Sequence, residues 1–426
     1  MATLDRRQFL AATAGTAAAL AVKGAGGQEK ITLKVTAAPS TVADMYRMVA
    51  SAFEARHPDI AIKLDTSQRD YDSLVDATLR DNLTSELADV SIQGNNKLRL
   101  YVDRGMAVAL DDLLEAEIAA PDTTLSPSVA SIGRFGGKVY GLGLSVSVPL
   151  VFYNLDLVRK AGADPTRLPT DWDGILGLAR SISDPAADTL GGYFSYDQSG
   201  AWLWIALIES QSASVLNAAE TDVGFAGPEG RVALDMLRAF GIAGQSKVDM
   251  NRDQVRQLFA AGKLGLLVDS SSSLSIFEKQ AGGRFEIGAG AFPCRGPNPH
   301  LPAGGASGLV FAKDPDRRKA AWAFLKFAAG AEGQTIIARN SGYMVANSLV
   351  ATRLDLLGRF FAERPGMKPV VDALPLLDGW YAFPGENGGK IVKVLTDGMR
   401  SAIVGQADPD ALHAAMVRDV RALLPG

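Results

Sequence analysis

The sequence has little of the side-chain chemistry on which metal sites and disulfide scaffolds depend. Among 426 residues there is one cysteine, Cys294, and there are three histidines, His57, His300 and His413. One cysteine cannot form an intramolecular disulfide, so the stability of the chain has to come from its core. The histidines share no local metal-ligand spacing, and no HExxH motif is present. We therefore expect neither a metal site nor a disulfide framework.

Common catalytic and nucleotide-binding motifs are also missing. There is no G-x-S-x-G nucleophile elbow. The stretch from Gly133 to Lys138 lacks the spacing of a phosphate-binding loop, and Val139 stands where that loop needs serine or threonine. We expect no cofactor. A glycosidase needs two carboxylates that face each other across a cleft, and 47 acidic residues leave a secreted carbohydrate-active enzyme open as an alternative.

The composition is that of an ordinary globular protein. Hydrophobic residues make up 47% of the chain, and the formal net charge is -4. A negative charge argues against nucleic acid or an anionic membrane as the main partner. Beyond the first two dozen residues, no segment approaches the ~18 consecutive apolar residues that indicate a membrane-spanning helix. The length is sufficient for two or three domains with substantial cores.

The first two dozen residues predict an export signal. Arg6 and Arg7 precede a short apolar run, Ala11 to Val22, that contains no carboxylate. This pattern is typical of a twin-arginine signal peptide, which we assign to residues 1–27 with cleavage between Ala21 and Gly27. No cysteine follows the run, so we expect no lipid anchor. The prediction is a freely diffusing monomer in the periplasm, with the Tat translocase as a partner during export.

Alternating strand and helix patterns predict an α/β protein. Residues 30–36, 60–64 and 88–92 have the patterns of strands. Residues 41–56 and 71–83 lie between them and have the apolar spacing of amphipathic helices. Strands that alternate with helices in this way indicate a largely parallel sheet covered by helices.

The second half of the chain begins with mixed patterns and ends with helices. Leu264 to Val268 reads as a strand that enters a run of four serines, Ser270 to Ser273. From Asp316 to the end the pattern is almost entirely helical. Asp314-Pro315 and Asp408-Pro409 mark two helix starts.

Seven segments, in this order along the chain, resemble motifs of one protein family. They are Phe53–Ile60, Leu87–Val90, Gly105–Leu113, Gly137–Leu142 with Tyr153–Gly162, Pro169–Trp172, Phe259–Lys263 and Ala320–Phe327. Together they are similar to motifs of the extracellular solute-binding proteins of ABC importers, in the sugar and glycerol-phosphate group. The resemblance extends from about residue 30 to 423. Each motif alone is weak, and their common order makes the resemblance specific.

This resemblance implies a fold and a role. The fold is α/β and two-lobed, that of the periplasmic binding proteins, with a mixed, mostly parallel sheet flanked by helices in each lobe and a helical C-terminal extension. We expect residues 28–145 and 306–355 in the N-terminal lobe, and 146–305 and 356–426 in the C-terminal lobe. The role is to capture a small solute in the cleft between the lobes and deliver it to an ABC permease in the inner membrane, without chemistry. A sensory ligand-binding subunit on the same fold stays open as an alternative.

The resemblance also implies ligand-binding positions. Within the group, the chain is most similar to binders of glycerol phosphate and glycerophosphodiesters, through residues 270–274, 304–307 and 341–345. The ligand positions of those proteins correspond to Tyr71, Ser147, Ser270, Ser271, Ser273, Gly305 and Tyr343, and more loosely to Trp202 and Trp204. Only one member of that tryptophan pair can face the cleft if the segment is helical.

Two departures from the family pattern concern the ligand. The acidic or polar residue after the third strand is Asn95 here. The arginine that those binders place against phosphate in their C-terminal part has no counterpart in the stretch Asp378 to Pro384. Because a bidentate cation is the natural partner of phosphate, this absence speaks against a phosphorylated ligand. Trp380 and Tyr381 offer flat faces that suit a sugar ring or a choline-like cation.

Overall fold

A computed structural model describes residues 30–425 and shows two large β-sheets surrounded by helices. The predicted export signal, residues 1–27, lies outside the described residues. We call the part built on the five-stranded sheet the first lobe and the part built on the four-stranded sheet the second lobe.

The strands are short. Their bounds are β1 (Ile31–Ala37), β2 (Ile60–Asp65), β3 (Val90–Gly94), β4 (Arg134–Phe135), β5 (Lys138–Val139), β6 (Gly141–Ser147), β7 (Pro149–Asn154), β8 (Leu190–Phe194), β9 (Leu264–Ser270), β10 (Ile287–Ala291), β11 (Leu301–Pro302), β12 (Gly304–Val310) and β13 (Leu377–Asp378).

The helices cover both sheets. Their bounds are α1 (Ala43–Arg56), α2 (Tyr71–Leu83), α3 (Leu98–Asp103), α4 (Asp111–Ile118), α5 (Leu155–Lys160), α6 (Trp172–Ile182), α7 (Trp202–Glu209), α8 (Pro228–Phe240), α9 (Arg252–Ala260), α10 (Leu274–Ala281), α11 (Pro315–Ala329), α12 (Ala331–Arg339), α13 (Ser348–Thr352), α14 (Gly358–Ala362), α15 (Lys368–Ala373), α16 (Gly388–Ile403) and α17 (Pro409–Arg421).

Both sheets are mixed, and the α/β class is confirmed. The strand orders are β2-β1-β3-β12-β6 in the first lobe and β10-β7-β9-β8 in the second. The expected predominance of parallel pairing is not found. Within the described residues, three neighbouring pairs in these sheets are parallel and four are antiparallel. The reason is that β6, β7 and β12, which lie next to the crossings between lobes, enter their sheets antiparallel to their neighbours.

The chain crosses between the lobes at the ends of β6 and β12. Strand β6 ends at Ser147 in the first sheet, and β7 begins at Pro149 in the second. The chain returns through β11 and enters β12 at Gly304. The predicted lobe boundaries, at 145/146 and 305/306, fall inside β6 and β12. The last helices, α15 to α17, pack on β10 and α8 of the second lobe.

Local signals explain where several helices begin. The Asp70 carboxylate accepts the backbone N–H of Ser73, and the Ser73 hydroxyl accepts the N–H of Asp70, so a capping box starts α2. Asp314 and Asp408 cap α11 and α17, and in both helices the first residue is proline. These two helix starts are confirmed.

Two strands of the second lobe are not expected from the sequence. Strand β8 reads Leu-Gly-Gly-Tyr-Phe and β10 reads Ile-Gly-Ala-Gly-Ala. Glycine and alanine have low strand propensity, so neither segment has a strand pattern. A Cβ on Gly191 would lie 1.9 Å from the carbonyl oxygen of Ala179 in α6. The close approach of helix to strand therefore requires glycine at this position of β8.

Residues 30–425 contain neither a candidate membrane-spanning helix nor a candidate metal cluster. None of their helices has both the length and the apolar character needed to cross a membrane. Within the same residues, no group of three or more histidine, cysteine or acidic side chains has the arrangement of a metal site.

Candidate functional site

A small cavity lies between the two lobes, at the edge where the chain crosses from one to the other. Its free volume is about 50 Å³, several times the ~10–15 Å³ that one ordered water needs. The first lobe lines it with the start of α2, the end of β6 and the start of β12, and the second lobe with the starts of α7 and α9 and the end of β9. This position is typical of a ligand site between lobes.

Eight of the twelve residues predicted to bind ligand line this cavity. They are Tyr71, Ser147, Trp202, Ser270, Ser273, Gly305, Tyr343 and Trp380. All are buried, although they come from segments far apart in sequence. The fold therefore brings most of the predicted set together.

Trp204 and Ser271 lie elsewhere. The side chain of Trp204 is fully buried in the core of the second lobe, where it packs edge-on against Phe225. Because α7 is a helix, Trp202 and Trp204 point to different faces, and Trp202 is the one at the cavity. Ser271 is also fully buried, and its hydroxyl accepts the backbone N–H of Val148 at 3.1 Å. It therefore supports the crossing between β6 and β7.

Asn95 and Tyr381 also lie away from the cavity. The Asn95 amide donates to the carbonyl oxygens of Ala303 and Gly304, and its own oxygen accepts from Ser307. It therefore holds the start of β12. The Tyr381 hydroxyl donates to Glu220 at 2.7 Å. Its ring lines a second groove, between α2 and α3 of the first lobe and the start of α16, rather than the cavity.

The aromatic rings at the cavity contact one another. The ring centroids of Trp202 and Trp380 are 6.0 Å apart, and those of Tyr71 and Trp380 are 6.3 Å apart. These separations are those of rings in contact. The planes of these rings are inclined to that of Trp380 by 52° and 75°, so the contacts are tilted or edge-on rather than face to face. That Trp380 offers a flat face to a sugar ring or a choline-like cation stays a prediction.

Four polar atoms of the cavity-lining side chains are buried and make no hydrogen bond within the described residues. They are Tyr71 Oη, Arg252 Nε, Ser273 Oγ and Trp380 Nε1. Burial, with Tyr343 alongside, holds the pKa of Tyr71 well above its ordinary value, so its hydroxyl keeps its proton. Buried polar groups nearly always have a partner, and an orphaned one requires an explanation. Here four of them surround one cavity.

Two arginines at the cavity were not expected from the sequence. Arg252 and Arg256 are four residues apart on α9, so they share a face of that helix, and both line the cavity. The sequence does contain one sign of this pair, namely two arginines four residues apart in the helix directly before β9. The related binders have their arginine in the C-terminal part, and the stretch Asp378 to Pro384 still offers no counterpart of it. The two guanidinium groups at this cavity come from α9 instead.

A buried network holds these arginines in place. Arg256 donates Nε and Nη2 to the two oxygens of Asp269, at 2.8 and 2.9 Å. Burial alone would lower the pKa of Arg256, but Asp269 outweighs it and raises the pKa above the ordinary value. The Gln198 amide nitrogen also donates to Asp269, which directs the Gln198 oxygen toward Nη1 of Arg252 at 3.2 Å. The network thus orients Arg252.

Asp70 is the acidic residue at the cavity edge, and its oxygens are engaged. One accepts the N–H of Ser73 and the other accepts two N–H groups of Arg69. Burial alone would raise the pKa of the Asp70 carboxyl, but these hydrogen bonds outweigh it, so the pKa lies below the ordinary value. Asp70 is therefore ionised and balanced by Arg69.

Gly305 is placed where only glycine fits. Its φ is +112°, and a Cβ would lie 2.2 Å from the carbonyl oxygen of Ser145 in β6. The register between β12 and β6 shifts just beyond, between Ala306 and Ser307. Gly305 therefore shapes the cavity wall through its backbone.

Comparison with known sequences finds one family. A family profile described as bacterial extracellular solute-binding protein matches residues 48–369. The chain is 26% identical over 313 residues to the sn-glycerol-3-phosphate-binding periplasmic protein UgpB of Agrobacterium fabrum, covering 68% of each chain.

Solved structures share the fold. UgpB from Mycobacterium tuberculosis, in complex with glycerophosphocholine, matches with a TM-score of 0.79 at 20% identity, over 91% of this chain and 97% of that chain. An ABC transporter solute-binding protein from Agrobacterium radiobacter, in complex with ribitol, matches with a TM-score of 0.76 at 18% identity, over 93% and 99%. The predicted two-lobed fold is confirmed by these matches.

Proposed function

Because the chain belongs to the bacterial extracellular solute-binding proteins, we propose that it is the solute-binding subunit of an ABC importer. It captures a small carbohydrate or a glycerol-phosphate-like solute in the cavity between the lobes and delivers it to a membrane permease. The mechanism is binding without chemical conversion. The ligand stabilises the closed arrangement of the lobes, and the permease recognises that arrangement.

The single observation that supports this most is the group of unpartnered polar atoms at the cavity. Arg252 Nε and Trp380 Nε1 are only donors, whereas the hydroxyls of Tyr71 and Ser273 can donate or accept. An oxygen-rich solute provides acceptors for all four. We propose that Ser147, Trp202, Ser270 and Tyr343 contact the same solute, with the backbone at Gly305 close to it.

The family works outside the cytoplasm, and we propose that export of this chain follows the twin-arginine route to the periplasm. Replacing Arg6 and Arg7 with lysine is expected to block export. The same exchange at Arg47 and Arg56, two exposed arginines of α1, is the control and leaves export intact. Export of the Arg6/Arg7 variant at the normal level would contradict the route without affecting the binding role.

Thermal unfolding in the presence of candidate solutes tests the binding role. The panel contains sn-glycerol 3-phosphate, glycerophosphocholine, ribitol, maltose and glucuronate. A ligand that binds only the folded state adds RT ln(1 + [L]/Kd) to stability, about 2.7 kcal/mol at 100 times Kd. We expect at least one member to raise the melting temperature in a saturable manner. Turnover of a glycoside by the purified protein would instead favour the enzyme alternative.

A further inference from the structure

We propose that Arg252 binds an oxyanion of the solute, so that the ligand is an anionic polyol, either a phosphate ester or a sugar acid. This inference rests on the proposed function and narrows its substrate class. The residue lies on α9 of the second lobe and not in the C-terminal stretch where the related binders have their phosphate-binding arginine.

The first argument is the state of the guanidinium. Arg252 uses Nη1 for Gln198, while Nε is buried without a partner and Nη2 makes no hydrogen bond within residues 30–425. Nε and Nη2 form the edge that donates two parallel hydrogen bonds to a carboxylate or a phosphate. In Arg252 neither of these two atoms has a hydrogen-bond partner among the described residues.

In Arg256, one helical turn away on α9, the corresponding Nε and Nη2 atoms are both hydrogen-bonded. Its Nε and Nη2 hold the Asp269 carboxylate at 2.8 and 2.9 Å. The two arginines start from the same face of α9 and share the Gln198–Asp269 network. Arg256 has a protein carboxylate at this edge, and at Arg252 the corresponding position is left for a ligand.

The charge balance at the cavity supports an anion. The two other charged residues that line it are in ion pairs, Asp70 with Arg69 and Arg256 with Asp269. Of the carboxylates near Arg252, Asp197 accepts its backbone N–H at 2.8 Å, and the next residue, Asp253, is exposed. No carboxylate of the described residues forms an ion pair with its guanidinium. Asp197 lies near enough for its charge and that of Arg252 to interact, but the Arg252 guanidinium has no direct carboxylate partner among the described residues.

Calorimetric titration of the mature protein tests the inference. The probes are sn-glycerol 3-phosphate for a phosphate ester, glucuronate for a sugar acid, and ribitol and maltose as neutral compounds. The variants are Arg252→Gln, which removes the charge, and Arg252→Lys, which keeps the charge and removes the two-bond geometry. Arg180→Gln, at an exposed position of α6, is the matched control.

We expect wild type to bind one of the two anionic probes more tightly than the neutral ones, and which of them binds identifies the source of the oxyanion. Arg252→Gln lowers that affinity roughly 10- to 100-fold, as loss of a charged hydrogen bond does. Arg252→Lys gives an intermediate loss, and Arg180→Gln gives none. The affinity of wild type falls with added salt more steeply than that of Arg252→Gln.

Two results would overturn the inference. In one, wild type binds neither anionic probe, or binds a neutral probe at least as tightly. In the other, both Arg252 variants bind the anion as wild type does. If the neutral probes bind in either case, the proposed function stands although the inference fails. If no probe binds, both fail. Melting temperatures of the ligand-free variants establish that each is folded.

Discussion

At the scale of one residue, Ser273 carries a buried hydroxyl at the cavity that lacks a partner among the described residues. Its side chain is 1% exposed, and its hydroxyl has no hydrogen-bond partner within the described residues. A buried hydroxyl without a partner costs about 1–3 kcal/mol, which bound solute would recover. If Ser273 binds solute as proposed, it does so at the expense of the ligand-free protein's stability.

Ser273→Ala is expected to affect stability and binding in opposite directions. Removing the unpartnered hydroxyl raises the free energy of unfolding of the ligand-free protein by about 1 kcal/mol and weakens solute binding. The control is Ser210→Ala, because Ser210 is equally buried but donates to Leu207 O at 3.1 Å. That variant loses about 1 kcal/mol of stability and keeps its affinity. Chemical denaturation and calorimetry of both variants measure this, and a destabilised Ser273→Ala contradicts the account.

Glu209 gives a prediction about pH. Burial, and then the charge of Asp378, raise the pKa of the Glu209 carboxyl to about 8. An unfolded chain releases this proton near pH 4.3, so the folded state binds more protons between these values. This contribution to stability is complete below pH ~4.3 and is lost as the pH rises to about 8, at up to ~1.4 kcal/mol per pH unit.

Glu209→Gln removes this contribution. Denaturation between pH 5 and about 8 is expected to show a stability advantage of the variant that grows with pH, relative to wild type. Equal slopes for the two proteins would contradict the raised pKa.

At the scale of elements, much of the first lobe is predictable from sequence. Alternation and helical spacing predict β1, α1, β2 and α2 to within two residues or so, because each has a strong local pattern. Strands β8 and β10 are not predictable in this way. Their glycines are selected by close contact with neighbouring elements, as at Gly191, and that contact exists only in the folded chain.

A substitution where β6 pairs with β12 tests the account at the scale of elements. Gly305→Ala places a Cβ against Ser145 O at a φ of +112°, which we expect to cost roughly 1–3 kcal/mol and to weaken solute binding. Gly177→Ala is the control, since a Cβ at this position of α6 meets nothing within 4 Å. In a helix that change gains about 0.5–1 kcal/mol. If the denaturation midpoints of Gly305→Ala and Gly177→Ala shift in the same direction, the role of Gly305 in shaping the cavity wall is contradicted.

For the whole molecule, several hydrogen bonds between side chains join the two lobes. Arg99 of α3 donates to both oxygens of Glu220 in the second lobe, at 2.7 and 2.9 Å, and Tyr381 donates to the same carboxylate. Ser199 donates to Asp72 across the cleft at 2.5 Å. These hydrogen bonds join the two lobes. Arg99, Glu220 and Tyr381 lie away from the cavity at Arg252, whereas Ser199 lines it.

Arg99→Ala is therefore expected to reduce solute affinity indirectly. A partly exposed ion pair contributes about 1 kcal/mol at most, so the closed population and the apparent affinity fall about fivefold. Arg159→Ala is the control, because Arg159 forms a similar pair with Glu286 inside the second lobe. Calorimetry measures the solute affinity of both variants. Equal affinities of Arg99→Ala and Arg159→Ala would show that the Arg99–Glu220 pair does not stabilise closure.

The sequence predicts which residues meet at the cavity better than it predicts the hydrogen bonds among them. Eight predicted residues meet at one cavity because family motifs mark their positions. Sequence alone does not identify the pair on α9, since the roles of Arg252 and Arg256 depend on which carboxylates the fold brings to each. It also does not show that Asn95 and Tyr381 bind neighbouring protein groups.

Tryptophan fluorescence during titration tests the central claim most directly, because two of the five tryptophans, Trp202 and Trp380, line the cavity. We predict a saturable, one-site change in emission with sn-glycerol 3-phosphate or glucuronate. The change is lost when Trp202 and Trp380 are both replaced with phenylalanine, and it is retained in Trp172→Phe, a buried residue away from the cavity. No saturable change with these solutes or with ribitol and maltose, or a change that survives the double replacement, would contradict solute capture in this cleft.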